Sequence, residues 1–276
     1  MDEDILRSNI MVKKSSNNAL LKFCHHSSLS TSVSYYTNTE NNTKKHVIFI
    51  KKGNYKMLIN DLNILENMFH NITIYTDDKK LKDNVPSSLE CVDCDVRKDF
   101  RVIYSMGTVM AIKRHNKEVD DILHDIMSVV DSISLKSKNF IKFLERTLDV
   151  KYSLSEYQKK YILQFYKKYK KKYNNSYKQA FKDIVFTMLN EKTNNDLEKI
   201  EELMLNFTEV SLKYFQIVLD WVYMYWLENT DNILVYYAEE DNIKNLKKYV
   251  KGLGYITRFD TDKHIDEEQV SKCVIQ

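Results

Sequence analysis

The chain has 276 residues, enough for one large domain or two modest ones. A hydrophobic share of 43% supports a buried core, while 4 glycines and 1 proline exclude the glycine-rich loops on which most phosphate-cradling cofactor sites depend. The balance of 42 basic against 39 acidic residues selects no partner by net charge, and 4 cysteines in so long a chain exclude a disulfide scaffold and point to a reducing, cytoplasmic compartment.

Residues 1–44 are rich in Ser, Thr, Asn and Lys, with SSNN at 15–18 and TNTENNT at 37–43. They read as a poorly ordered polar leader, within which 20–23 (LLKF) admits a short helix or edge strand. The acidic start MDEDILRS lacks the long apolar continuation of a secretory leader. From Lys45 the pattern changes. Val47, Ile48, Phe49 and Ile50 form the short apolar run of a buried strand. Ile59, Leu62, Leu65, Met68 and Phe69 share one helical face, and Ile72, Ile74 and Tyr75 mark the next strand. One helical turn fits between Lys79 and Asn84, ahead of Pro86. A third strand is expected over 89–96, and a bent strand or hairpin through Gly107 over 100–113. Strand, helix, strand, short link, strand is the cadence of an α/β layer, so 45–115 reads as the first half of an α/β domain.

Residues 116–229 read as helical throughout. Val119, Ile122, Leu123, Ile126, Val130 and Ile133 make one stripe, and 139–148 a shorter helix. Ser155 with Gln158 and Ser176 with Gln179 have capping-box spacing, which predicts two separate helix starts. Helices over 196–206 and 209–227 complete a set of short-linked, antiparallel elements. The stretch 207–227 is the most apolar of the chain and carries both tryptophans, yet Glu209, Lys213, Gln216 and Asp220 interrupt it before the ~18–20 apolar residues that a membrane span requires. Leu212, Phe215, Leu219 and Val222 are expected to face a core. Over 230–261 the α/β cadence returns, with a strand at 232–240, a helix at 241–252 capped by Gly252, and a strand at 255–261. The expected architecture is α/β: a small mixed or parallel sheet formed by both chain flanks, with an inserted all-helical bundle and a flexible tail over 262–276.

Four groups of residues carry candidate chemistry. Cys273-Val274-Ile275-Gln276 has the Cys-aliphatic-aliphatic-X pattern that a eukaryotic prenyltransferase reads, with Gln among the terminal residues that favour farnesyl. The adjacent Asp266, Glu267 and Glu268 oppose anionic headgroups, and one lipid alone binds a membrane only marginally. Lysines between 159 and 182, densest at Lys167, Lys168, Lys170, Lys171 and Lys172, interleave with tyrosines. Such lysines neutralise phosphates and such tyrosines stack on unpaired bases, unless the tyrosines form a buried stripe. Asp93 and Asp95 point to one side of a strand and, with Asp78 or Asp77 after the preceding strand, would hold Mg²⁺ or Mn²⁺ in a nucleotide-type enzyme. Edge-strand charge explains the same pair without a metal. Cys91 and Cys94 have CxxC spacing but lie in a strand, where buried inert thiols are expected rather than a redox or zinc pair.

These groups lead to three functional expectations. The first is a non-catalytic interaction or regulatory protein of the cytoplasm, meeting a protein partner through the helical block and tethered peripherally to a membrane as a lipoprotein through Cys273. The second is a divalent-metal-dependent transferase or nuclease with Asp93, Asp95 and Asp78 as catalytic residues and Asp93 and Asp95 as metal ligands. The third is a nucleic-acid-binding subunit using the basic aromatic helix. No P-loop, dinucleotide fingerprint, zincin or kinase signature occurs, so the sequence does not establish an enzyme.

Overall fold

A computed structural model describes residues 18–29, 31–40, 43–66, 69, 71–95, 141–142, 144–146, 148, 152–190, 197–214, 216–230 and 233–262. The chain divides into two compact units, Met1–Cys94 with Leu227–Gln276, and Asp95–Trp226.

The first unit is α/β, and both flanks of the chain contribute strands to one sheet. Helix α1 (18–27) leads into β1 (Val33–Glu40) and β2 (Thr43–Lys51). Then come α2 (Tyr55–Glu66), β3 (Ile72–Thr76), α3 (Lys79–Lys82) and β4 (Glu90–Asp93). The sheet is six-stranded, in the order β4-β3-β5-β2-β1-β6, where β5 is Ile233–Ala238 and β6 is Ile256–Asp260. β4, β3, β5 and β2 run parallel, while β1 is antiparallel to both its neighbours. β3 and β5 lie inside the parallel part and are buried at every residue, as the unbroken apolar run of β5 requires, with Thr73 and Thr76 of β3 buried among apolar neighbours.

Side-chain alternation makes two cores. Val33, Tyr35, Ile48, Ile50, Ile74 and Val235 share one face with Leu20, Phe23 and Cys24 of α1 and Leu58, Leu62 and Leu65 of α2. The other face carries an aromatic ribbon across four strands. Tyr36 meets Phe49 at 5.7 Å, Phe49 meets Tyr236 at 5.5 Å, and Tyr236 stacks on Tyr75 at 5.1 Å. Helix α7 (Glu240–Gly252) lies on this side, where Lys247 reaches Asp260 at 2.9 Å and Lys251 sits over the Tyr36 ring.

Within the second unit the described residues are mainly helical. Helix α4 (Glu156–Asn190) is followed by α5 (Leu197–Tyr214) and α6 (Gln216–Asn229), whose last residues from Leu227 belong to the first unit. The expected capping box starts α4: Ser155 N–H donates to Gln158 Oε1 at 2.8 Å, and Gln158 N–H returns to Ser155 Oγ at 3.3 Å. Gln158 Nε2 also donates to the Met224 carbonyl at 2.9 Å, and Trp221 Nε1 to that of Tyr152 at 2.8 Å, joining the start of α4 to α6. In α6 every residue from Ile217 to Met224 is buried, so the one-sided stripe expected there is too narrow a description.

Several expectations are corrected. Part of the supposed polar leader forms α1 and β1: Ala19, Leu20, Phe23 and Cys24 recur at helical spacing, and Tyr35 and Tyr36 pack into opposite faces of the sheet. The third strand is shorter than 89–96. Asn174–Ser176 do not break the helix, because Tyr169, Tyr177, Ala180 and Ile184 continue one buried stripe and Tyr177 packs on Phe207 at 5.1 Å. No break falls at 206–209 either. Finally, α7 is stopped by Gly254, at φ +82°, rather than by Gly252. Tyr255 N–H reaches the Val250 carbonyl at 3.0 Å and Gly254 N–H that of Lys251 at 3.1 Å, the paired bonds of a Schellman motif. The hairpin expected at 100–113, the stripe at 119–133 and the tail from 263 lie outside the described residues.

Candidate functional site

In an open α/β sheet the natural ligand crevice lies beyond the carboxyl ends of the strands, where the connections of neighbouring strands leave for opposite faces. Here that point falls between β2 and β5, since α2 covers one face and α7 the other. The protein's own groups meet there. Tyr237 OH accepts from Gly53 N–H at 2.8 Å and donates to the Gly53 carbonyl at 2.9 Å, while Lys52 N–H donates to the Ala238 carbonyl. Lys52 Nζ lies 2.6 Å from Asp77 and 3.6 Å from Glu239, so it links the ends of β2, β3 and β5. Asp77 is 2% exposed at its side chain, which makes Lys52 its compensating charge.

The acidic residues singled out by sequence have structural partners at this edge. Asp78 caps α3, its Oδ1 accepting from the N–H groups of Lys80 and Leu81 at 2.8 and 3.2 Å. Asp93 accepts from Lys82 Nζ at 3.0 Å. Asp95 is half-buried and falls in the other unit, past the boundary at Cys94. Among the described residues no group of three or more His, Cys, Asp or Glu side chains is arranged to hold a metal ion. Cys94 is buried and its thiol is pushed well up by desolvation, and burial raises Cys91 to about 11. Neither supplies a thiolate at neutral pH.

A cleft of about 330 Å³ opens beside α7, lined by Ser32, Lys51, Glu240, Ile243, Lys244 and Asp262. Its charges neutralise one another. Lys244 and Lys51 both bind Glu240, whose carboxyl is pushed down to about 2, first by the Lys244 hydrogen bond and then by that of Lys51. Lys247 bridges Asp260 at 2.9 Å and Asp262 at 2.7 Å. A third cluster joins α1 to α2: His26 Nδ1 lies 2.6 Å from one Asp61 oxygen, and Ser27 Oγ donates to the other at 2.6 Å. The imidazole and the serine hydroxyl thus converge on the two oxygens of one buried carboxylate. Lys52, Glu239 and Asp61 carry no motif, and only the pairing of strands and helices distant in sequence reveals them.

Helix α4 is different. Lys167, Lys168, Lys171 and Lys172 are exposed, whereas Lys170 is half-buried with its ammonium 5.9 Å from the Tyr166 ring. Tyr166, Tyr169 and Tyr177 are buried, which removes them as stacking platforms and supports the alternative of a packed stripe. Lys160, Lys178 and Lys182 flank this cluster; Lys160 and Lys178 are exposed, and the unbroken helix places all three on the same side as Lys167 and Lys171. Cys273 lies outside the described residues. No described helix is long and apolar enough to cross a membrane. No protein-family model, curated protein or solved structure matches the chain.

Proposed function

We propose that this chain is a non-catalytic binding protein: an α/β scaffold carrying an inserted helical bundle that meets a macromolecular partner along α4. One contrast carries the reading. The carboxylates at the sheet edge are engaged in capping and ion pairs, with Asp77 on Lys52, Asp78 on the α3 amides and Asp93 on Lys82. Along α4, lysines stand exposed in a helix with no acidic residue between Glu156 and Asp183. A metal-dependent transferase would instead need the carboxylates to converge on open space.

Two measurements test this. Mn²⁺ added to the full chain should broaden no NMR resonances selectively around Asp78, Asp93 and Asp95, and selective broadening there would restore the enzyme reading. A photo-crosslinking amino acid at Gln164 or Asn175, both exposed on α4, should capture a partner in cells expressing the full chain. The same group at Asn60, exposed on α2, should not. Equal yields at the three positions, or no adduct at any, would refute an α4 contact surface.

A further inference from the structure

The chemistry of the exposed α4 face selects among partners, and this inference rests on the binding-protein reading. At 3.6 residues per turn, Lys160, Lys167, Lys168, Lys171, Lys178 and Lys182 fall within an arc of about 100° and extend for roughly 33 Å. Gln164 and Asn175, both exposed, occupy the gaps. Within that arc no apolar, aromatic, acidic or arginine side chain occurs from Lys160 to Lys182. On the opposite side Ile162, Phe165, Tyr166, Tyr169 and Ala180 are buried.

We propose that this face binds the phosphate backbone of a nucleic-acid duplex without reading its sequence. The positive charge along the arc has no carboxylate of its own helix within it, so it suits a partner of dense, repeated negative charge. Protein–protein contacts concentrate aromatic residues and arginine and are depleted of lysine, the reverse of this composition. A helix that settles into a lipid surface needs apolar groups on the face it buries, and this one buries its apolar groups within the protein. Single-stranded nucleic acid is held by aromatic platforms along its path, whereas here Tyr166, Tyr169 and Tyr177 are buried. The half-buried Tyr161 and Tyr173 lie outside the lysine arc, and the exposed Tyr157 and Phe186 stand only beyond its ends. Lysine acts as a point charge rather than a bidentate fork, so it registers phosphates and not base edges. The length of the face is close to one turn of B-form duplex, ~34–36 Å.

The test is fluorescence anisotropy of the full chain with labelled 24-base-pair DNA and RNA duplexes, between 50 and 300 mM salt. Two unrelated DNA sequences should bind equally within about threefold, with affinity falling steeply as salt rises. The triple variant Lys167→Gln/Lys168→Gln/Lys171→Gln should reduce the log–log salt slope by about 2–3 and weaken binding on the order of 10²-fold at 100 mM salt. Lys160→Gln/Lys178→Gln/Lys182→Gln should act alike, and Lys56→Gln/Lys79→Gln/Lys80→Gln in the α/β unit should change neither quantity. Circular dichroism of each variant establishes that helicity is retained. Unchanged binding in both α4 variants, tighter binding to oligo(dT) than to duplex, or binding only to phosphatidylserine-containing vesicles would overturn the proposal. Crosslinks from Gln164 and Asn175 to protein, with no duplex binding, would overturn it while preserving the binding-protein reading. Absence of any adduct and of duplex binding would overturn both.

Discussion

The α/β unit and helix α4 handle charge in opposite ways. At the carboxyl edge of the sheet and along its far flank, ionic groups find partners on other elements: Lys52 joins three strand ends, Lys247 joins Asp260 and Asp262, and Lys82 holds Asp93. Those pairings tie short loops to the ends of a buried sheet. In α4 the buried side is aliphatic and aromatic, and the exposed side repeats one sign of charge over several turns. Ionic residues that close on each other organise a fold, whereas like charges aligned on one face repel one another and stay in solvent.

The strongest challenge to this contrast is to damage the scaffold. Tyr236→Ala removes a fully buried ring packed between Tyr75 and Phe49 and should cost about 3–5 kcal/mol in urea unfolding. A loss below about 1 kcal/mol would mean that the aromatic ribbon does not form. Next in size is Lys247→Ala, which leaves Asp260, 4% exposed, without its cation. The expected loss is about 3 kcal/mol, because an uncompensated buried charge remains. An effect no larger than that of an exposed lysine would show this edge pair to be a surface contact.

Smaller changes sharpen the comparison. Ser155→Ala opens the capping box and should cost about 1 kcal/mol, visible as a lower unfolding midpoint of the helical unit. The least effect is expected from Glu240→Gln. The folded-state carboxyl is depressed to about 2 from its ordinary value of 4.5, so its contribution is present above about pH 4.5 and is lost as pH falls toward 2. The side chain is half-exposed, which limits that contribution to less than about 1 kcal/mol. Wild-type and variant melting temperatures should differ at pH 7 and converge near pH 2, and a difference that grows on acidification would reverse the assigned sign.

Much of the sheet is legible in the sequence, for reasons local to each segment. The apolar run Val47–Ile50 can be buried on both faces only inside a sheet, and β2 places it there. The Ser155–Gln158 spacing is itself a geometric device, and it closes as expected. The leader hides its structure because Ser, Thr and Asn residues mask a helical recurrence of Leu20, Phe23 and Cys24. The candidate carboxylates are legible as carboxylates but not as cap and ion-pair members, since Asp78 needs the α3 amides and Asp93 needs Lys82.

The basic helix marks the same division. Sequence alone determined that lysines and tyrosines alternate there, that acids are absent, and that a helical period would separate the two kinds. It also suggested a second helix start at Ser176, which would have turned Lys178 and Lys182 away from Lys160. Tertiary packing decided otherwise: Tyr177 against Phe207, with Ala180 and Ile184 buried beyond it, outweighs the weak helix propensity of Asn174–Ser176. Propensity acts over a few residues and amounts to tenths of a kcal/mol at each. Burial of a continuous stripe acts along the whole helix, and that stronger driving force aligns the lysines into one face.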